Sequence, residues 1–339
     1  MPIILSHNSA LERLRAVPPI FDTARPVNQP VDLRSLKLSR TETPSLSMSR
    51  LGVMQEPIHC LTHIGVPRTR VHRFIQHRTS AGQLPAGLLR QISPDLFISG
   101  PELVFLQMAS TTSMLGLIVL GFELCGLYSH FAPFASGFYE RKPLTTTDLI
   151  SNALDRLSGH RGIKAARAAL GFVLNGSASP METVFACMLA LPSSMGGEGL
   201  TVPRLNYEVQ LDEVGKKRAG TETCRVDIAW PELRIGLEYN GGPYHTDEQK
   251  DRFRREALAH EKWTIFTADI DDMANHEKYT ELLALIKDDV PRRKGMSSPD
   301  GAASKQLFKR LMVATRAGVG LNRALFSVTV PRGSVKIHV

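Results

Sequence analysis

Residues 225–245 read RVDIAWPELRIGLEYNGGPYH, and this stretch decides how the rest of the chain is understood. Two apolar runs meet at Pro231-Glu232, and each carries one acidic residue. Asp227 lies among Val226, Ile228, Ala229 and Trp230, and Glu238 follows Ile235, Gly236 and Leu237. β-Branched and aromatic residues bounded by Pro and Gly predict two short strands joined by a tight turn. A carboxylate inside such a strand is costly to bury without a partner, and two facing carboxylates repel unless a cation sits between them. Mg²⁺ is the hard cation that suits oxygen ligands of this kind. The spacing equally admits two solvent-facing acids at strand edges, and Glu182 and His245 tip the reading toward a site.

The surrounding chain reads as an α/β protein. Ser179 is placed to cap a helix, Pro180 fits its first position, and Glu182 falls in its first turn. Pro192–Gly199 reads as a flexible connector, Leu205–Leu211 as a strand, and Asp212–Thr223 as a polar loop holding Lys216, Lys217 and Arg218. A charged helix is expected from Thr246 to Lys262, a strand over Trp263–Ala268, and a helix from Asn275 to Asp288. Residues 176–290 thus run helix, three strands, helix, strand, helix, a compact α/β unit.

Ahead of it, residues 51–175 are expected to form a mainly helical α+β domain. It includes strands near Ile58–Ile64 and Leu96–Ile98 and a helix opened by Ser99-Gly100-Pro101-Glu102. Residues 1–50 are rich in Pro, Ser, Thr and Arg and read as a loosely ordered basic arm. Residues 291–339 read as a basic linker followed by a helix (Ser304–Arg316) and a strand-like segment (Leu325–Val330). His59, His63, His72 and His77 cluster in sequence, but no Cys or carboxylate stands at ligand spacing with them, so they read as ordinary surface or core histidines.

Composition narrows the class. The 339 residues carry a net charge of +8, which makes a polyanion a reasonable partner without requiring one. Four cysteines without a CxxC pair argue against a zinc ribbon or a disulfide framework and suit a reducing cytoplasm. No signal peptide is evident at the start, and the apolar run Leu115–Tyr128 is too short to cross a bilayer, so no membrane role is expected.

A helix Glu, a strand Asp and an adjacent-strand Glu, taken with the flanking pieces, resemble the PD-(D/E)xK nuclease superfamily. More narrowly, they resemble its very-short-patch-repair-like endonuclease domains. The matching pieces are Ser179-Pro180-Met181-Glu182, Arg225–Glu232, Glu238-Tyr239-Asn240-Gly241 with His245, and the charged helix with Trp263-Thr264-Ile265-Phe266. The resemblance implies a restriction-endonuclease-like core and Mg²⁺-dependent (or Mn²⁺-dependent) hydrolysis of DNA in defence or repair. It makes Asp227 and Glu238 the metal ligands, Glu182 the helix carboxylate that orients water, and His245 a general acid or base. A neutral imidazole suits that transfer, although a helix-start neighbour without chemistry is the plainer reading of His245.

The superfamily's third position usually holds Lys, and here Asn240 stands there. Asn240 offers a carbonyl but no charge, so Lys250 or Arg254, four residues apart on one helix face, become candidates to supply the missing cation. With Lys216, Lys217 and Arg218 they form the expected DNA-binding set. Pairing of two copies is expected of an enzyme that cuts two strands.

Residues 98–109 are faintly similar to type IV abortive-infection antitoxins. That likeness brings in a toxin or other defence-system partner, and a second reading: a DNA-binding regulator of antitoxin type with a catalytically silent nuclease fold.

Overall fold

The computed structural model describes residues 2–16, 24–35, 48–67, 73–130, 137–240, 248–269 and 276–316. The chain divides into two units, one within Met1–Cys125 and Ser129–Val173, the other within Gly126–Tyr128 and Leu174–Leu321. The main stretch of the second unit starts at Leu174.

In the first unit, Ile3–Leu5 forms β1 and His7–Leu14 forms α1. Arg25–Pro26 is β2, Ile58–His63 β3, Phe74–Thr79 β4, Leu89–Ser93 β5 and Leu96–Ser99 β6. They make one mixed sheet in the order β2-β5-β6-β1-β3-β4. β1 is an interior strand, parallel to β6 through Ile3↔Leu96 and antiparallel to β3 through Leu5↔Cys60. Residues 2–16 are therefore not a loose arm. Ile3, Ile4, Leu5, Leu11 and Leu14 are buried, because a strand apolar on both faces can only be an interior one.

The same unit also contains α2 (Pro101–Met108), α3 (Met114–Leu124), α4 (Thr147–Arg156) and α5 (Ile163–Leu170). Gly100 stands at the N-cap of α2 with Pro101 at its first position, as the sequence led one to expect. Every residue of α3 from Leu115 to Leu124 is buried, Glu123 among them. Glu123 is held by Arg15, whose Nε donates to Oε1 at 2.7 Å and whose Nη2 donates to Oε2. Burial alone would raise the Glu123 pKa, and the charges of Arg15, His130 and Arg141 together with the Arg15 hydrogen bond outweigh it, leaving the group at about 2.

The structure also gathers histidines that are distant in sequence. His59 Nδ1 and His77 Nε2 are 2.8 Å apart, and the His7 ring stacks on His77 with centroids 3.4 Å apart. His7 takes a left-handed backbone, φ 47°, at the start of α1. Burial first, and neighbouring imidazoles second, push His7 down to about 2 and His77 to about 4, both below the value of an unfolded chain. The folded state thus binds fewer protons than the unfolded one. The stability is complete above about pH 6.5 and is lost as pH falls toward 4, at up to about 1.4 kcal/mol per pH unit for each of these two groups. Urea titrations across that range should show a steep acid loss that His77→Phe makes shallower. Equal slopes in the two proteins would rule the histidine stack out as its cause.

In the second unit, Pro180–Ala190 is α6, Arg204–Gln210 is β7, Glu213–Ala219 is α7, Thr223–Trp230 is β8 and Ile235–Asn240 is β9. Glu248–His260 is α8, Thr264–Asp269 is β10, His276–Asp289 is α9 and Gly301–Arg316 is α10. The sheet runs β7-β8-β9-β10, the first three strands antiparallel and β10 parallel to β9. The α/β reading therefore holds, with a mixed sheet flanked by helices.

Three details depart from the sequence reading. Residues 213–219 are helical rather than a loop, because the Asp212 Oδ1 accepts the Gly215 N–H at 2.8 Å and Gly220 ends the helix in the left-handed region. Pro192–Gly199 is fixed rather than flexible. Glu198 is buried between Lys287 and Arg292, and a Cβ on Gly196 (φ 92°) would lie 2.5 Å from the Ala303 carbonyl. Finally, α10 is part of this unit: Leu307, Phe308 and Leu311 are buried, and Phe308 stacks on Tyr279 of α9. Leu325–Val330 lies outside the described residues. Among the described residues no helix is long and apolar enough to cross a membrane, and all four cysteines are buried and unpaired.

Candidate active site

The sheet register builds the site. In the β7–β8 ladder, Leu205↔Ile228 and Tyr207↔Val226 are paired, which puts Asn206 opposite Asp227 between them. In the β8–β9 ladder, Ile228↔Leu237 is the last pair. One further step brings Asp227 abreast of Glu238. There the backbone ladder stops, and the Tyr239 N–H donates instead to Asp227 Oδ2 at 2.9 Å. A side-chain acceptor has replaced a strand carbonyl, and the two strands part at the acidic pair.

Glu182 arrives from α6. Ser179 caps that helix by accepting the Glu182 N–H at 3.2 Å, and Pro180 fits the first turn. The Glu182 carboxylate turns back: its Oε2 accepts the Ala178 N–H at 2.7 Å and an N–H of the Asn206 amide. Glu182 is 6% exposed. Burial, and after it the negative charge of Asp227, push its pKa up to about 7. Burial also raises Asp227, against the Tyr239 N–H and the Arg254 and Arg225 charges that pull it down.

Glu238 is 8% exposed and is clamped. Arg254 of α8 reaches both oxygens, Nη1 to Oε2 at 2.7 Å and Nη2 to Oε1 at 2.6 Å, and Nη2 also donates to the Arg225 carbonyl. A bidentate guanidinium–carboxylate pair of this geometry is a strong one.

The predicted residues thus divide. Glu182, Asp227 and Glu238 are brought together from three elements, and Arg254 joins them as an internal counter-ion instead of lying out on a DNA-facing surface. Lys250 stays exposed one turn earlier on α8. Asn240 is exposed at the end of β9, two residues beyond Glu238. Lys217 and Arg218 are exposed on α7, and Lys216 pairs with Glu213 at 2.9 Å. His245 lies outside the described residues. Asn206 was not singled out in the sequence. Its one local signal is a poor strand former inside an otherwise alternating strand.

The donor set is all oxygen, which suits Mg²⁺ or Mn²⁺ in kind. The arrangement is less accommodating. Among the described residues no three His, Cys, Asp or Glu side chains are placed to hold a metal ion, and Arg254 engages both Glu238 oxygens. Beside these carboxylates, the buried Asn206 Oδ1 lacks a partner among the described residues.

Comparison with known proteins adds little to this geometry. No protein-family model matches the chain, and no solved structure matches it significantly. Uncharacterised proteins from two strains of Mycobacterium tuberculosis, CDC 1551/Oshkosh and ATCC 25618/H37Rv, are each 32% identical to it over 127 residues. That stretch is 37% of this chain and 42% of each relative, so the chain matches less than half the length of these relatives.

Proposed function

We propose that the second unit is a metal-dependent endonuclease with a restriction-endonuclease-like core, acting on the phosphodiester backbone of DNA. One observation carries the reading. Where two strands part, Asp227 of β8 stands abreast of Glu238 of β9, and its charge also acts on Glu182 of α6, so that three carboxylates from separate elements are linked through Asp227. The order of helix, three antiparallel strands, helix and parallel strand supports it, as does the net charge of +8.

Asp227 and Glu238 would hold Mg²⁺, which would polarise a phosphoryl oxygen and neutralise developing charge. The protein's own groups supply the rest. Glu182, titrating near neutrality and oriented by Ala178 and Asn206, takes a proton from the attacking water. Arg254 holds Glu238 in place and brings a fixed positive charge to a site that receives a phosphate. Exposed Lys217, Arg218 and Lys250 contact the backbone, in contacts whose strength falls with salt. Cleavage of supercoiled plasmid and of labelled duplex and single-stranded oligonucleotides, with Mg²⁺ and with Mn²⁺, tests the reading directly. Asp227→Ala is the comparison.

A second reading has its own support. Arg254 on both Glu238 oxygens and the uncharged Asn240 at the usual Lys position suit a DNA-binding regulator whose nuclease fold is silent. Salt-sensitive DNA binding with no cleavage under any divalent cation would establish it in place of the first.

A further inference from the structure

We infer that Asn206 is a positioning residue of this site, fixing the Glu182 carboxylate through its side-chain amide. The inference deepens the nuclease reading and rests on it for the role of Glu182.

Asn206 sits within a seven-residue strand, Arg204–Gln210, yet its φ is 48°. Left-handed backbone is disfavoured for residues with a Cβ, and Asn is among the few that adopt it readily. The departure falls at the one position that faces Asp227 in the ladder, between two regular pairs. Its effect is to carry the amide out of the strand's alternation and onto the start of α6. There the Nδ2 makes two bonds, one to the Gly176 carbonyl at 2.8 Å and one to Glu182 Oε2.

The same oxygen already accepts the Ala178 N–H, from the loop just before α6. The carboxylate is therefore held between the loop before its own helix and a strand of the sheet. Its orientation toward Asp227 is set by the sheet and not by the helix rotamer alone. A purely structural amide, one that only tied Gly176 to the strand, would be expected to satisfy both its ends. Here the Oδ1 is buried without a partner among the described residues, so the amide is held by its nitrogen alone, toward Gly176 and Glu182.

Glycine at 206 separates the left-handed backbone from the amide, because it accepts φ 48° without strain while deleting the side chain. Asn206→Gly should melt within a few degrees of the wild type. On an oligonucleotide substrate it should lose about 10- to 100-fold in kcat with KM little changed, the range seen when a supporting partner of a site ligand is removed. Asn206→Gly/Glu182→Gln should be no slower than Glu182→Gln alone, because the amide acts only through that carboxylate. Wild-type kcat in Asn206→Gly, or multiplying defects in the double variant, would overturn the inference.

A readout without turnover keeps it separate from the activity. In protein carrying ¹³C at glutamate carboxyls, the resonance that vanishes in Glu182→Gln should shift in Asn206→Gly at constant pH. If the wild type cuts nothing, the nuclease reading falls, while a shifted resonance still shows the amide positioning Glu182. An unmoved resonance overturns that as well.

Discussion

Replacing Arg15 by methionine is expected to cost the first unit about 3–5 kcal/mol, the usual penalty for stripping one member from a buried ion pair. Arg15 and Glu123 have side chains only 7% and 1% exposed. Glu123 has further donors in the His130 N–H at 3.1 Å and the Ser129 hydroxyl at 3.4 Å. Those contacts soften the loss without replacing a guanidinium bound at both oxygens. Removing the cation leaves a carboxylate among the apolar residues of α3, where it must either stay charged at high cost or take up a proton. The double variant Arg15→Met/Glu123→Leu removes both charges and fills their volume, and should recover most of the loss. Guanidinium denaturation of the three proteins measures this. A double variant as unstable as Arg15→Met would show that packing of the arginine stem, and not the unpaired charge, set the penalty.

Asp227→Ala is expected to lower cleavage by about 1,000-fold or more, since the several kcal/mol of charge stabilisation that a metal supplies corresponds to that factor. Asp227 is the better residue to change than Glu238. Its committed contact is a single hydrogen bond from the Tyr239 N–H, so alanine there removes a half-buried carboxylate and relieves its repulsion of Glu182. The variant should fold at least as well as the wild type. Changing Glu238 would instead strand the half-buried Arg254, and any loss of activity would be confounded with a loss of stability. Cleavage that survives in Asp227→Ala would remove Asp227 from the chemistry. Cleavage lost together with a lowered melting temperature would place its role in the fold instead.

Much of the second unit could be read in advance because its signals are local. Ser179, Pro180 and Glu182 announce a helix start through capping chemistry alone, and the alternation around Asp227 and Glu238 sets two strands whose turn lies between them. The 213–219 helix was equally local, with Asp212 as cap and Gly220 as stop, but its polar composition reads as a loop when weighed before its ends. Other features depend on contacts across the chain. Ile3-Ile4-Leu5 is too short to carry a period, and its place inside the sheet follows from strands about 55 and 90 residues away. His7, His59 and His77 meet through the same long-range pairing. Gly196 reads as flexible until α10 is seen to close on it. Asn206 leaves only a weak propensity signal and Arg254 only a helix spacing shared with Lys250; the amide's reach to Glu182 and the guanidinium's to Glu238 are tertiary facts.

The interior position of β1 has a consequence for how the chain is made. Ile3 emerges from the ribosome 96−3 = 93 residues before its partner Leu96. At synthesis rates of about 5–20 residues per second, that is an interval of roughly 5–20 s. The β3 partner at Cys60 arrives part-way through it, and until Leu96 follows, three consecutive apolar residues wait with one edge of their strand unpaired. The first unit cannot close cotranslationally from its own beginning. The Ile3–Leu5 segment is the one that a ribosome-associated chaperone would have most reason to hold.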